Sequence, residues 1–287
     1  MSAPAGSSGG LTRFRIDLSY DGTDFAGWAK QPNLRTVQGE LLRALTEILG
    51  ASPDDFYMRV GGRTDAGVHA DHQVCHIDLN PDQIKRLGRN PLSAGRINSL
   101  LPSDVAALDV QLAKPGFDAR FSASGRSYVY AIADSECASN PKWVRYTLVH
   151  PKQLSVEKMN SAAKKLIGLK DFGAFCKPRE GATTIRELKK LSVKREKDGR
   201  ILVFVSADAF CHNMVRSLVG ALIAAGEGKL TPAELSKIQQ AAKRTSSFKV
   251  VGPQGLSLSE IRYPAAAQLA KQAEKARNIR SFEEISV

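Results

Sequence analysis

The chain is poor in cysteine, aromatics and long apolar runs, and it carries far fewer acidic than basic residues. Its four cysteines, Cys75, Cys137, Cys176 and Cys211, are scattered, and none forms a C-x-x-C pair. The adjacent Cys211 and His212 have no second ligand pair at metal spacing, so no metal site is expected. The four read as reduced thiols of a cytosolic protein. Aromatics make up only 7%, which excludes a strand-wide stacking platform for single-stranded nucleic acid. No apolar run approaches the length that spans a bilayer, so no membrane association is expected. Residues 1–10 lack the basic start and apolar stretch of a signal peptide and read as a flexible arm.

What the chain does have is positive charge. Lys and Arg number 41 against 29 Asp and Glu, a net charge of +12 and a pI near 9.6. Such a surplus favours a polyanionic partner, since each basic side chain placed on a phosphate releases a counterion. Hydrophobic content of 43% in 287 residues is that of a globular protein with one large or two ordinary domains.

Periodicity places the elements. Phe14, Ile16, Leu18 and Tyr20 alternate with Arg13, Arg15, Asp17 and Ser19, which predicts a half-buried strand. Thr36 can cap a helix with the stripe Val37, Leu41, Ala44, Leu45, Ile48 and Leu49, stopped at Gly50. Ser155 opens a second helix, carrying Val156, Met159, Ala163, Leu166 and Ile167 and closed at Gly168. Strands are expected over 128–133, 185–193 and 201–210, with Asp198-Gly199 turning the last two into a hairpin. Met214 to Ile223 reads as a largely buried helix, and Thr231-Pro232-Ala233-Glu234 as a strong helix start. Beyond Pro264 the tail is rich in Ala, Lys, Gln and Glu; it reads as a helix or, having little to bury, as a fraying end.

The segment Gly61-Gly62-Arg63-Thr64-Asp65-Ala66-Gly67-Val68-His69-Ala70 stands between two strand-like runs, where sites tend to be built. Its glycines keep side chains clear of the carboxylate, and Arg63 can engage Asp65 by charge-assisted hydrogen bonding. Chemistry alone leaves two readings: a candidate nucleophile or base, or a tight turn in which Asp65 bonds its own backbone. His69 and His72 flank it, as a general base or as packing residues.

This loop resembles the signature of the tRNA pseudouridine synthase A family. Further motifs follow in order: Tyr20-Asp21-Gly22-Thr23-Asp24-Phe25-Ala26-Gly27-Trp28, Thr36-Val37-Gln38, and Asn98 to Pro102. Phe117 to Ala123 with Arg126-Ser127-Tyr128-Val129-Tyr130, Phe210-Cys211-His212-Asn213-Met214-Val215-Arg216, and Gly255-Leu256 with Ile261 to Pro264 complete the set. The resemblance runs from about Arg13 to Pro264. It implies an α+β protein of the pseudouridine synthase fold. Two similar mixed domains, with mainly antiparallel sheets, would join into one extended mixed sheet with the active cleft between them. The expected bounds are an arm over 1–11, a catalytic domain over 12–113, a second domain over 114–264 and a tail over 265–287.

By the same resemblance the chain would be an isomerase that turns uridine into pseudouridine at tRNA positions 38, 39 and 40. It would need no cofactor or metal and would act as a cytoplasmic homodimer. Asp65 matches the family's catalytic aspartate, and Tyr128 its active-site tyrosine. Arg216 matches an arginine suited to balance the carboxylate, and Arg63 is a substrate contact. Candidates for gripping the RNA backbone are Arg13, Arg15, Lys30, Arg35, Arg120 and Arg126. The chain departs from the family at Ala29, Lys170, Cys211 and Gln254, where Gln, His, Leu and His are usual; none is a proposed site residue. A non-catalytic RNA-binding protein and an N-glycoside hydrolase are the competing readings. The hydrolase would usually need a second carboxylate, for which Asp71 is near in sequence.

Overall fold

A computed structural model describes residues 10–179, 181, 183–278 and 284–285. The expected arm over 1–11 therefore lies almost wholly outside the described residues. In the first half come β1 (Thr12–Tyr20), α1 (Val37–Leu49), β2 (Tyr57–Val60), β3 (His69–Leu79), α2 (Pro81–Leu87), α3 (Ala94–Asn98) and β4 (Val105–Leu112). The second half holds β5 (Gly125–Ala133), β6 (Leu148–Val149), α4 (Val156–Lys164), β7 (Gly168–Asp171), β8 (Ile185–Arg195), β9 (Ile201–Ala207), α5 (Met214–Gly226), α6 (Pro232–Ala241), β10 (Leu256–Arg262) and α7 (Leu269–Lys275).

The strands form one sheet in the order β4-β1-β3-β10-β5-β9-β8-β7, with β2 beside β3 and β6 beside β5. Neighbours run antiparallel except at β3 with β10 and β5 with β6. The mixed, mainly antiparallel sheet expected from the sequence is thus present. The last strand of the chain stands at its centre.

Local chemistry explains the elements. In β1 the alternation is as read: Phe14, Ile16, Leu18 and Tyr20 are buried. The Thr36 hydroxyl accepts from the Gly39 N–H, and Gly50 closes α1 in the left-handed region at φ 56°. Thr231 and Glu234 form the reciprocal cap that opens α6. Gly199 turns the β8–β9 hairpin at φ 90°.

One reading is corrected, and one left open is decided. The second helix stops at Lys164, and Gly168, at φ 115°, starts the edge strand β7. The apolar residues counted into its stripe diverge: Leu166 is fully buried, whereas Ile167 is exposed. The tail does not simply fray. α7 buries Leu269 and Ala273. The Ser122 hydroxyl donates to the Leu269 carbonyl, and the Gln272 amide donates to the Ala123 carbonyl. Two apolar side chains and two hydrogen bonds dock a segment whose composition is mostly polar.

α5 is buried along almost its whole length. It comes so close to the 249–251 segment that a Cβ on Gly220 would overlap the Lys249 carbonyl oxygen. Gly95 in α3 has nothing within 4 Å of where its Cβ would stand. Intrinsic helix propensity favours Ala over Gly at both. Gly220→Ala should nevertheless destabilise by about 1–3 kcal/mol through overpacking. Gly95→Ala should stabilise by about 0.4–1 kcal/mol. Urea midpoints of the two variants measure this, and equal signs would refute the packing argument.

Candidate active site

The segment carrying Asp65 joins β2 to β3 where the second edge of β3 passes from β2 to β10. Many backbone and side-chain bonds fix its shape. The Gly61 N–H donates to the Val74 carbonyl, and the Trp28 N–H to the Thr64 carbonyl. The Gly67 N–H reaches the Phe25 carbonyl, and the Val68 N–H closes a turn onto the Asp65 carbonyl. Beneath the loop, fully buried Gln73 donates to the Gly62 carbonyl at 2.7 Å and to the Tyr20 hydroxyl at 3.2 Å. That hydroxyl shares a 2.8 Å bond with Thr64. Glycine is required opposite the loop, because a Cβ on Gly22 would overlap the Val68 carbonyl oxygen.

The Asp65 side chain is 42% exposed and faces a cleft of about 490 Å³. Arg63, Lys177, His212 and Arg216 also line this cleft, and Asp65 is its one lining carboxylate among the described residues. His212 is nearest, with Nε2 3.7 Å from Oδ1. The Arg216 Nε donates to the Val251 carbonyl at 2.7 Å, so its fork is anchored to the cleft wall and makes no ion pair with Asp65. Tyr128 is buried, with Phe210 packed edge-on at 5.1 Å. Burial pushes its hydroxyl up to about 12, against the pull of the Arg126 guanidinium and with help from the Asp65 charge. At neutral pH it is therefore a phenol, able to stack or donate but not to act as a base.

The histidines beside the loop are packing groups. The His69 Nδ1 accepts from the Gly22 N–H, which leaves Nε2 to donate to the Gln254 carbonyl. The His72 Nε2 lies 2.8 Å from Asp17.

Most of the candidate RNA-gripping arginines have protein partners. Arg13 forks onto Asp78, Arg15 onto Asp17, and Arg35 onto Asp104. Lys30 is loosely paired, 3.7 Å from exposed Asp54. Arg126 donates from Nε and Nη2 to the Gly61 carbonyl, from Nη1 to the Asp208 carbonyl and from Nη2 to the Arg120 carbonyl. It is a post under the Asp65 loop. Arg63 and Arg120 enter no ion pair among the described residues. Asp71 accepts from the Ser257 hydroxyl and lines a separate cavity with Tyr20 and Asp21.

Sequence reasoning missed His212, Lys177 and Gln73. His212 stood inside a motif read only for its arginine. Lys177 carried no local signal; it arrives because the loops of Cys176 and Cys211 lie against each other, with Cα atoms 5.7 Å apart across 35 residues. Two loops distant in sequence converge there, and the Lys177 N–H also donates to the His212 carbonyl at 2.9 Å. Cys75 and Cys137 are free.

Comparison with known proteins bears on this geometry. A family model described as tRNA pseudouridine synthase matches residues 162–264. The tRNA pseudouridine synthase A of Leifsonia xyli subsp. xyli is 47% identical over 283 residues, covering 94% of this chain and 98% of its own. The chain belongs to the tRNA pseudouridine synthase A family. The synthase of that name from Streptomyces avermitilis is 46% identical over 274 residues, with 95% of each chain covered. A solved H/ACA RNP bound to a substrate RNA containing 2′-deoxyuridine matches 74% of this chain and 43% of its own, at 13% identity. Its TM-score of 0.34 is too low to carry an argument. Membership makes the chain an isomerase of tRNA pseudouridine synthesis. Among the described residues no helix is long and apolar enough to cross a membrane.

The role of Arg126 can be tested against its earlier candidacy as an RNA contact. Arg126→Lys loses the fork that serves three carbonyls. It should cost about 2 kcal/mol or more in stability and lower turnover. The salt dependence of tRNA binding should not change. A shallower salt slope with unchanged stability would return Arg126 to the RNA-contacting set.

Proposed function

We propose that this enzyme isomerises uridines at positions 38, 39 and 40 of the tRNA anticodon arm, with Asp65 as the attacking carboxylate. One observation carries the reading: a single carboxylate lines the cleft among four basic side chains. The reaction breaks the N1–C1′ bond, turns the uracil and joins C5 to C1′. The C5 proton is lost and N1 gains one, so atoms and electrons balance without an oxidant. A carboxylate can begin this by adding to C6, by attacking C1′ or by taking the C2′ proton. Each route starts from ionised Asp65, and each needs the uridine out of its stack.

In this reading Tyr128 receives the flipped uracil on its ring. Arg216, anchored through Val251, and Arg63 hold the substrate and balance the charge on Asp65. Residues 12–113 and 114–264 form two domains on either side of the cleft, and the enzyme works as a cytoplasmic homodimer. An N-glycoside hydrolase is disfavoured because the cleft shows no second carboxylate among the described residues to act as acid or base. A non-catalytic RNA binder has no use for a carboxylate beside phosphates.

Asp65→Asn should abolish pseudouridine while tRNA binding survives within a few-fold. Chemical mapping of pseudouridine and filter retention measure the two. Near wild-type conversion by the Asn variant, or release of free uracil by the wild type, would overturn the assignment.

Salt should separate the substrate from the subunits. Each phosphate contact adds roughly 0.7–0.9 to the log–log slope of binding against salt. A subunit interface resting on apolar burial is not screened in this way. Moderate salt should therefore release tRNA while light scattering still reports a dimer. A flat binding curve would count against the cleft as an RNA site, and monomer mass at all concentrations against the dimer.

A further inference from the structure

Phe121 lies in the loop that leads into β5. Three guanidiniums converge on its ring: those of Arg59, Arg120 and Arg277 each lie 5.1 Å from the centroid. Burial pushes the Arg120 guanidinium down, and the charges of Arg63, Arg59 and Arg179 add to this. Arg59, Arg63 and Arg179 thus stand within electrostatic reach of Arg120, and Arg277 shares the Phe121 ring with it.

The carboxylate in their midst is already committed. One Asp118 oxygen accepts from Arg59 at 2.8 Å. The other accepts the backbone N–H groups of Arg120 and Phe121, both at 2.9 Å. Among the described residues, Arg63, Arg120, Arg179 and Arg277 enter no ion pair. Like charges held this close repel, and a polyanion laid across them would relieve that repulsion. The guanidiniums also lie over an aromatic ring, and arginine serves this cation–π arrangement more often than lysine.

The group adjoins the catalytic cleft. Arg63 lines that cleft, and Arg126 bonds both the Gly61 and the Arg120 carbonyls, tying the two loops together. Arg277 reaches the group from the far end of the chain, beyond residue 264 where the family-model match stops. α7 delivers it: Leu269 and Ala273 are buried, and Ala270 packs 2.8 Å from where a Gly116 Cβ would stand. The docking thus places a basic residue of the tail over the ring of Phe121.

We propose that the tail completes a phosphodiester-binding subsite, formed by Arg120 and Arg277 around Phe121, which grips the RNA backbone beside the nucleotide held over Asp65. The proposal rests on reading the Asp65 cleft as the uridine site, and it gives the segment after β10 a part in substrate binding.

The test uses the full chain with the variants R277Q, R277K, R120Q and, as a remote control, R200Q. Arg200 stacks on Trp143 and pairs with Asp198 in the β8–β9 hairpin. Filter retention of tRNA across a salt series gives affinity and slope, and single-turnover conversion at saturating tRNA gives the chemical rate. R277Q and R120Q should each weaken binding roughly five-fold near 0.1 M salt and reduce the slope by roughly 0.7–0.9. Their rates at saturation should stay within twofold of wild type. R277K should keep most of the slope and lose part of the affinity, because charge survives and the guanidinium over the ring does not. Thermal melts within a few degrees of wild type confirm that the tail is still docked.

Wild-type affinity and slope in R277Q would overturn the subsite. So would an equal loss in R200Q, which would make the effect one of net charge. A lowered rate at saturation with unchanged affinity would assign the tail to the chemical step instead. These readouts concern binding, so they fail independently of Asp65→Asn, whose readout is pseudouridine itself.

Discussion

Two residue pairs join the strands of the two halves into one sheet: Ser257 against His69, and Leu258 against Ala70, in the short parallel ladder between β3 and β10. On its first edge β3 is paired by β1 over most of its length. Its second edge is divided, with β2 taking one end and β10 the other. The Asp65 loop leaves the sheet where that edge changes hands. Backbone groups released there find other partners, which is why the loop is fixed by Trp28, Phe25, Gln73 and Arg126 from several directions. The His69 side chain reinforces the seam, spanning Gly22 of the first half and Gln254 of the second. A carboxylate placed at such a junction can be met by groups from both halves, and His212, Lys177 and Arg216 all come from the second.

How much of this was legible depended on whether the signal was local. β1, α1, α6 and the β8–β9 hairpin were readable because alternation, caps and turn glycines act within a few residues. The end of α4 was misread because Leu166 and Ile167 continue an apolar pattern while Gly168 has already turned the backbone into a strand. Docking of the tail was illegible for the opposite reason. Only Leu269 and Ala273 are buried, too few to register as a stripe, and their partners lie some 150 residues earlier. Asp65 could be singled out because glycines and a motif surround it. The company it keeps could not, since Lys177 and His212 meet it through a loop contact between Cys176 and Cys211.

The arginines give the clearest case of sequence type without sequence meaning. Arg13, Arg15 and Arg35 look like RNA contacts by charge alone, yet each forks onto an aspartate. Arg126 shows no such partner and serves carbonyls instead, which only a buried, planar donor does well. Net charge of +12 is therefore a poor guide to where charge is available. Neutralisation inside the fold sorts the basic residues, and Arg63, Lys177 and Arg216, which it leaves without an ion pair among the described residues, line the cleft beside Asp65.

The central position of β10 also bears on synthesis. Synthesis delivers Asp65 well before β10, which spans Leu256–Arg262. Until that strand emerges, part of one β3 edge and most of one β5 edge lack their partner. The halves can collapse separately, but their seam must wait for pairings between residues almost two hundred positions apart. A nascent chain therefore carries Asp65 without a complete cleft around it, and the seam beside that loop closes only once β10 has emerged.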